Sequence, residues 1–215
     1  MSKFVELKEI KALLDKSSNP FFLFDEDCDG LCSYLLFKRY CKKGNARVVK
    51  ESPKVTKKYA SLVNKYNADL VIILDKPVVE QEFVDDCKAQ VVWIDHHSIV
   101  ELENVKYHNP KFNDPSGVSA TSYLSYKCVG GDKWIALIGC IADYLIPDFI
   151  RDVEKEFPVL FDNYNTIEDL IYASKLGELI KILNFLLSQK SKEVMEVVDI
   201  LEQIKYPLQI LNFED

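Results

Sequence analysis

Three short segments of the chain are apolar at every position, and the segments between them show helical spacing of apolar residues. The apolar runs lie at residues 21–24, 70–74 and 91–94. Unbroken hydrophobicity is typical of a strand that is covered on both faces, as in a parallel sheet. The runs therefore predict central parallel strands, and a weaker pattern predicts another strand over residues 46–50.

Helical periodicity predicts helices between these strands, over residues 31–42, 55–66 and 79–87. A first helix is expected from a cap at Ser2 to about residue 16. Strands that alternate with helices are typical of an α/β fold. The pattern thus predicts a doubly wound, mostly parallel sheet with helices on both faces.

From Gly117 onward the pattern is mostly helical. The predicted segments are residues 118–128, 133–144, 167–176, 178–187 and 193–204. We expect residues 1–148 to form the α/β core. Residues 149–215 are expected to form a helical extension packed on it.

Each apolar run is followed at once by an aspartate, namely Asp25, Asp75 and Asp95. In an open parallel sheet the carboxyl ends of the strands share one edge, and ligands bind there. The sequence therefore predicts that three separate segments bring carboxylates to one crevice.

The first of these segments carries Asp25, Asp27 and Asp29 at alternating positions, followed by Gly30. Such crowding of anions is costly unless cations neutralise it. A metal site is one interpretation. The alternative is a solvated turn in which Asp29 caps the next helix.

The third segment continues as Asp95-His96-His97, with two of the three histidines of the chain. Imidazole together with carboxylate suits Mn²⁺, Fe²⁺ or Zn²⁺, and the excess of oxygen ligands favours Mn²⁺. Adjacent side chains on an extended backbone diverge, so one histidine is expected to bind metal and the other to face substrate. A hydrogen-bonded structural pair is the alternative.

Two later segments add candidate residues. Asp143 follows an apolar stretch, where an unpaired carboxylate is costly and a metal would satisfy it. Its alternative is a surface position at the end of a helix. Ser116, Gly117 and Ser119 precede a predicted helix and form a candidate phosphate cradle, although Ser116 is also a plausible plain helix cap.

Composition limits the class of protein. The 215 residues carry a net charge of −7, which disfavours a broad basic face for nucleic acid, although bound divalent cations would offset part of that charge. No apolar run approaches the roughly 20 residues that cross a bilayer. Charges near the first residues and six cysteines without close pairing predict a cytoplasmic protein with reduced thiols and no membrane association.

In chain order, Asp27-x-Asp29-Gly30, Asp75, Asp95-His96-His97, Ser116-Gly117 and Ala142-Asp143 resemble the motifs of the DHH phosphoesterase superfamily. The first motif is most similar to the RecJ-like branch of single-strand exonucleases. The resemblance implies two Mn²⁺ ions, with Mg²⁺ as the alternative. It assigns metal ligation to Asp27, Asp29, Asp75, His96 and Asp143, with Asp25 as an additional candidate. Catalysis is assigned to Asp75, His97 and Asp95, with Asp75 bridging the ions, and substrate binding to His97, Ser116, Gly117 and Ser119.

The sequence departs from that family pattern in three places. Leu23 stands where many DHH enzymes have a histidine. Lys76-Pro77 follows Asp75 where RecJ-like proteins have a small residue and a glycine. Nothing after Ile150 resembles the C-terminal substrate-binding domain of such enzymes, so we expect a partner protein to supply it.

The resemblance implies a Mn²⁺-dependent exonuclease for single-stranded nucleic acid or short oligonucleotides, as the catalytic half of a split RecJ-like protein in DNA repair or replication. One alternative is a RecJ-related scaffold subunit of a replication complex with little or no activity. A second is a phosphoesterase for small molecules or cyclic dinucleotides.

Overall fold

The computed structural model describes residues 3–162 and 164–211. Its strands are β1 Lys3–Phe4, β2 Pro20–Asp25, β3 Asn45–Val49, β4 Lys54–Val55, β5 Leu70–Leu74, β6 Val78–Val79, β7 Gln90–Ile94 and β8 Val105–His108. Six of them form one sheet in the order β1-β8-β7-β5-β2-β3, and every neighbouring pair is parallel. Strands β4 and β6 pair separately.

Helices cover both faces of the main sheet. They are α1 Leu7–Lys16, α2 Cys28–Cys41, α3 Lys58–Lys65, α4 Gln81–Asp86, α5 Thr121–Val129, α6 Lys133–Ala142, α7 Ile150–Glu156, α8 Ile167–Tyr172, α9 Lys175–Leu187, α10 Ser191–Leu201 and α11 Leu208–Leu211. Short 3-10 turns occupy Pro110–Phe112 and Pro158–Leu160. None of these helices is long and apolar enough to cross a membrane.

Alternate residues of the central strands enter two separate cores. In β2, Phe22 and Phe24 pack with α1, α2, α5 and α6, whereas Phe21 and Leu23 pack with α3 and α4. Burial on both faces explains why these strands are apolar throughout. The predicted doubly wound α/β fold with a helical C-terminal segment is confirmed.

The direction of winding reverses at β2, which has β3 on one side and β5 on the other. The register pairs Phe24 with Leu74 and Leu74 with Ile94, so these strands end level with one another. The carboxyl ends at such a switch point form a crevice. The residues that follow β2, β5 and β7 therefore meet at one edge of the sheet.

The first predicted helix is wrong at its start. Ser2, the expected cap, lies outside the described residues, and Phe4 belongs to β1. The helix begins at Leu7 after a capping box of Glu6 and Glu9. Pairing of β1 with β8 explains the difference, because a two-residue edge strand carries no periodic signal of its own.

Other differences lie toward the C-terminus. The predicted helix over residues 167–176 is split, because the Ser174 side chain accepts a hydrogen bond from Gly177 N–H and starts α9. Strand β8 and helix α7 were not predicted. Helices α7 to α11 contribute to the same core cluster as α2 and α6, which extends from Val5 to Ile210. A boundary near residue 148 stays a prediction.

Candidate metal centre

The turn after β2 places three carboxylates at the edge of the sheet. Asp27 is the N-cap of α2 and accepts a hydrogen bond from Gly30 N–H at 2.9 Å. A Cβ atom at Gly30 would lie 2.7 Å from the backbone N and O of Asp25, so only glycine lets α2 approach the strand so closely. Capping thus falls to Asp27, and Asp29 lies inside the first turn, 1% exposed.

The start of α5 holds Asp29 in place. Thr121 N–H donates to Oδ2 of Asp29 at 2.6 Å, and Ser122 N–H donates to Oδ1 at 2.9 Å. The N-terminus of a helix stabilises a carboxylate in this way. Gly139 of α6 packs against the same group, because a Cβ there would lie 3.0 Å from Oδ1 of Asp29. Asp29 is therefore oriented by two helices that follow it in the chain.

Asp75 lies directly beyond β5 in a left-handed backbone conformation, with φ of 64°. Its side chain is 1% exposed, and Oδ1 accepts a hydrogen bond from Thr121 Oγ1 at 2.9 Å. A non-glycine residue with positive φ is uncommon, although aspartate tolerates it better than most. The turn directs this carboxylate toward the side chains of α2 and α5.

His96 connects these carboxylates to the end of α6. Its Nε2 atom lies 3.0 Å from Oδ2 of Asp143 and 3.4 Å from Oδ1 of Asp75. The same nitrogen is buried and forms no hydrogen bond with either oxygen. A buried nitrogen left in this state is costly. A cation among the three atoms would satisfy all of them.

His97 pairs with Asp95, and its ring centroid lies 4.4 Å from that of His96, so the two side chains stay neighbours. Asp95 is fully buried, and its Oδ1 lies 2.7 Å from Nδ1 of His97. The other carboxylate oxygen accepts from His97 N–H at 2.9 Å and from the Tyr107 hydroxyl at 3.2 Å. Asn109 donates to the His97 carbonyl oxygen at 2.9 Å. The imidazole is thereby fixed, while 39% of the His97 side chain remains exposed.

Burial and mutual repulsion raise the pKa values of the carboxyl groups. Burial, with the charges of Asp25 and Asp29, raises the pKa of Asp27 to about 6. Burial and Asp143 raise the pKa of Asp29, and burial and Asp29 raise the pKa of Asp75 further. These directions follow when like charges share a low-dielectric site without a counterion.

The electrostatics of His96 differ in sign. Burial lowers the pKa of His96, but contact with Asp143 and the charges of Asp29 and Asp95 together more than offset this effect, and the net pKa lies above its usual value. The carboxylates around His96 thus favour positive charge at this position, which a divalent cation would provide.

The residues present fit a divalent metal ion. Among the described residues, two groups bring three ligand atoms within 4.8 Å of one another, namely Asp75, His96 and His97, and Asp29, His96 and Asp143. His96 belongs to both. Carboxylate oxygens with one imidazole nitrogen suit Mn²⁺ and related ions better than Mg²⁺ or Ca²⁺, which prefer oxygen alone.

The other residues proposed for the site, Asp27 and Asp95 among them, lie outside these groups, and metal ligation by Asp27 stays a prediction. Asp25 pairs with Lys76, whose Nζ is 2.8 Å from Oδ1 of Asp25. Ser116 is exposed and hydrogen-bonded to Asp114, and Gly117 N–H also binds Asp114. The helix begins at Thr121 instead of at residue 118, so Ser116, Gly117 and Ser119 precede it in a loop. Their role in substrate binding stays a prediction.

Sequence reasoning missed the residues that hold the ligands. Thr121 and Ser122 orient Asp29, and Tyr107 and Asn109 orient the Asp95-His97 pair. Thr121 lies inside the helix predicted over residues 118–128, so the pattern did not indicate that its N–H would be available to bind Asp29. Strand β8 was not predicted, so nothing indicated that Tyr107 would lie beside Asp95.

The fold and the site together define an α/β protein with an acidic, histidine-containing centre at the switch point of its sheet. The model of the DHH family, N-terminal domain, matches residues 21–146, which is more than half of the chain. The chain therefore belongs to the DHH family. No curated protein matches its sequence.

Solved structures show similar folds at low sequence identity. RecJ from Thermus thermophilus in complex with Mn²⁺ has a TM-score of 0.58 and 15% identity, over 92% of this chain and 37% of that one. An exonuclease RecJ bound to manganese has a TM-score of 0.58 and 14% identity, over 94% of this chain and 66% of that one. The DHH domain of a member of the s1p family of ribosomal proteins has a TM-score of 0.64 and 13% identity, over 94% of this chain and 55% of that one. The chain thus spans between about a third and two thirds of these relatives.

Proposed function

We propose that this protein is a Mn²⁺-dependent phosphodiesterase of the RecJ-like type, which hydrolyses single-stranded nucleic acid or short oligonucleotides. The observation that carries the proposal is the buried Nε2 atom of His96, which faces Asp143 and Asp75 without a hydrogen bond. A divalent cation satisfies an imidazole nitrogen and two carboxylates together. The structures of RecJ with manganese support Mn²⁺ as that cation, with Mg²⁺ as the alternative.

The ligands proposed for the metal are Asp29, Asp75, His96 and Asp143. A bound divalent ion supplies Lewis acidity, which lowers the pKa of water and offsets charge that develops on a phosphoryl group. Thr121 keeps Asp75 and Asp29 oriented through its hydroxyl and its N–H. Rigid support of this kind spares the site reorganisation during the reaction.

We assign the contact with the scissile phosphate to His97. The Asp95 carboxylate holds Nδ1 of His97 at 2.7 Å, which fixes the ring and leaves Nε2 to contact a phosphate oxygen. Partial exposure of His97 supports this role, because a substrate must reach it from solvent. Asp95 acts through His97 and is a positioning residue.

Two exposed tyrosines support a single strand as the substrate. Tyr144 directly follows Asp143, and its hydroxyl lies 2.7 Å from that of Tyr172. The two residues are 53% and 61% exposed, and Tyr144 has φ of 57°, which is strained for a bulky residue. Unpaired bases stack on exposed aromatic rings, whereas a small phosphate ester needs no such surface.

The partner protein and the cellular location stay proposals. A partner that holds substrate would compensate for the net charge of −7. All six cysteines are free thiols, which supports a reducing, cytoplasmic location. The partner is tested by titrating a labelled oligonucleotide with the chain alone and together with a candidate substrate-binding protein. A gain in affinity is expected with the correct protein.

The experiment for the activity uses metal-free protein, added Mn²⁺ and a single-stranded oligonucleotide labelled at either end. We expect release of mononucleotides from the single strand, with little from the same sequence as a duplex or from a cyclic dinucleotide. Asp75→Asn should abolish it, and Asp85→Asn on the exposed face of α4 is the matched control. Absence of hydrolysis in wild-type protein that binds Mn²⁺ would contradict the proposal. Absence of Mn²⁺ binding would favour the scaffold.

A further inference from the structure

A fully buried lysine lies beside the candidate metal centre. Lys76 follows Asp75, and its side chain is 0% exposed. Its ammonium donates to Oδ1 of Asp25 at 2.8 Å and to the carbonyl oxygen of Glu51 at 2.9 Å. Trp93, also buried, donates its indole N–H to the Lys76 carbonyl oxygen at 3.0 Å. The lysine is thus anchored through both its backbone and its side chain.

A lysine is rarely buried in this way, because removing an ammonium from water is costly unless a charge partner compensates. The partner here is one of the clustered carboxylates at the carboxyl edge of the sheet. Asp25 precedes Asp27 by two residues, and the charge of Asp25 acts directly on Asp27. Lys76 therefore places a cationic side chain against the acidic group, at a position where a metal ion would otherwise supply the charge.

The lysine also occupies one oxygen of Asp25, which is a candidate ligand for a metal ion. Oδ1 of Asp25 accepts hydrogen bonds from Lys76 Nζ and from Glu26 N–H, the latter at 2.7 Å. Leu23, which precedes Asp25 in the same strand, is fully buried in an apolar core and offers no ligand atom. On this side of the centre, Asp27 and Asp75 are the remaining carboxylates, and Asp27 already accepts from Gly30 N–H.

The other side of the centre is better supplied with ligand atoms. Asp29, Asp143 and Asp75 surround His96, and both groups of converging ligand atoms among the described residues include that histidine. Its Nε2 is also a buried nitrogen without a hydrogen-bond partner. Ligands thus converge at His96, whereas the opposite side is closed by an ion pair.

We propose that Lys76 takes the place of one divalent cation, so that the chain holds a single divalent ion, at His96, instead of the two that the family resemblance implies. This inference rests on the proposed function only in assuming that the centre binds metal. The Lys76 ammonium offsets the charge of Asp25, and a bound ion would offset the charges of the carboxylates around His96. A second ion that used Oδ1 of Asp25 would require the Lys76–Asp25 pair to separate inside the protein.

The number of bound ions is measured on the full chain after removal of metal with a chelator. Isothermal titration with MnCl₂ is expected to give one ion per chain. Electron paramagnetic resonance of the loaded protein should then show an isolated Mn²⁺ ion without exchange coupling. Two ions per chain, or a coupled pair in the spectrum, would overturn the inference while leaving a metal-dependent function intact. No bound ion would overturn the metal centre itself.

Variants locate the ion and test the part played by the lysine. Lys76→Met should release Asp25 and raise the number of bound Mn²⁺ ions per chain to two. Asp143→Asn should lower the affinity for the single ion by about tenfold or more. Asp25→Asn should leave the stoichiometry at one and change the affinity less than Asp143→Asn does. A greater loss of Mn²⁺ affinity in Asp25→Asn than in Asp143→Asn would identify Asp25 as a ligand and contradict the inference. If Lys76→Met does not fold, as judged by circular dichroism, wild-type stoichiometry and Asp25→Asn still decide.

Discussion

Nε2 of His96 lies 3.0 Å from Oδ2 of Asp143, and this contact joins the end of β7 to the end of α6. The two residues belong to separate parts of the chain and meet only because α5 and α6 pack over the carboxyl edge of the sheet. Both side chains also face the buried Asp75. Burial and the charge of Asp29 raise the pKa of Asp75 well above its usual range. Without a cation, the centre is electrostatically destabilising.

Metal binding should therefore stabilise the fold. A ligand that binds only the native state adds about 2.7 kcal/mol to the free energy of unfolding at one hundred times its Kd. We expect the melting temperature of metal-free protein to rise with Mn²⁺ concentration, as measured by scanning calorimetry. His96→Ala should abolish the rise and Asp85→Asn should retain it. An equal rise in both variants would place the ion elsewhere.

Gly139→Ala should destabilise the protein. Alanine normally stabilises a helix interior by about 1 kcal/mol relative to glycine. Here a Cβ would lie 2.5 Å from Ser122 Oγ and 3.0 Å from Oδ1 of Asp29. Overpacking should cost about 1–3 kcal/mol, which leaves a net loss of up to about 2 kcal/mol. Urea unfolding measures the sign of the change in the free energy of unfolding. Adding Ser122→Gly should recover part of the loss, and a more stable single variant would refute the close packing.

Asp95→Asn should separate positioning from metal binding. The carboxylate binds His97 through both its side chain and its backbone. Loss of the charge should lower kcat by about 10–100-fold, as removal of such supporting groups typically does. Mn²⁺ affinity in calorimetry should change far less than in Asp143→Asn. A parallel loss of kcat and of Mn²⁺ affinity would mean that Asp95 supports the metal and not the imidazole of His97.

Tyr144→Ala should weaken the binding of a single strand by about 1–3 kcal/mol, the usual contribution of one stacked base. Tyr206→Ala, which removes a tyrosine that is 49% exposed, is the control and should bind normally. Fluorescence anisotropy with a labelled oligonucleotide, in Ca²⁺ to prevent turnover, provides the measurement. Equal affinity of Tyr144→Ala and wild type would exclude stacking at this position.

Asp69 should contribute to stability in a pH-dependent way. Burial raises the pKa of Asp69, but hydrogen bonds from Ser17, Ser18 and Asn19 together outweigh burial and lower the pKa to about 2 from a usual 3.8. Because the folded pKa lies below the unfolded value, the contribution is present above about pH 4 and is lost as the pH falls toward 2. The stability difference between wild type and Asp69→Asn should therefore shrink on acidification. A difference that stays constant would contradict the lowered pKa.

Local patterns in the sequence predicted much of the fold. Continuous apolar runs located β2, β5 and β7, because strands covered on both faces cannot alternate with polar residues. Strand β8 escaped prediction because it is short and mixed, with Lys106 beside buried Tyr107. Likewise, the first helix was started too early because the pairing of Phe4 with Tyr107 is a contact between distant segments.

For the centre, the sequence by itself determined which carboxylates and imidazoles stand at the ends of strands, because parallel strands place their carboxyl ends at one edge. Only the tertiary structure decided which of them converge. Helix α5 turns its N–H groups toward Asp29, and α6 brings Asp143 to His96. The structure alone also pairs Lys76 with Asp25. Such contacts depend on how helices pack over the sheet, and no local pattern of residues encodes that packing.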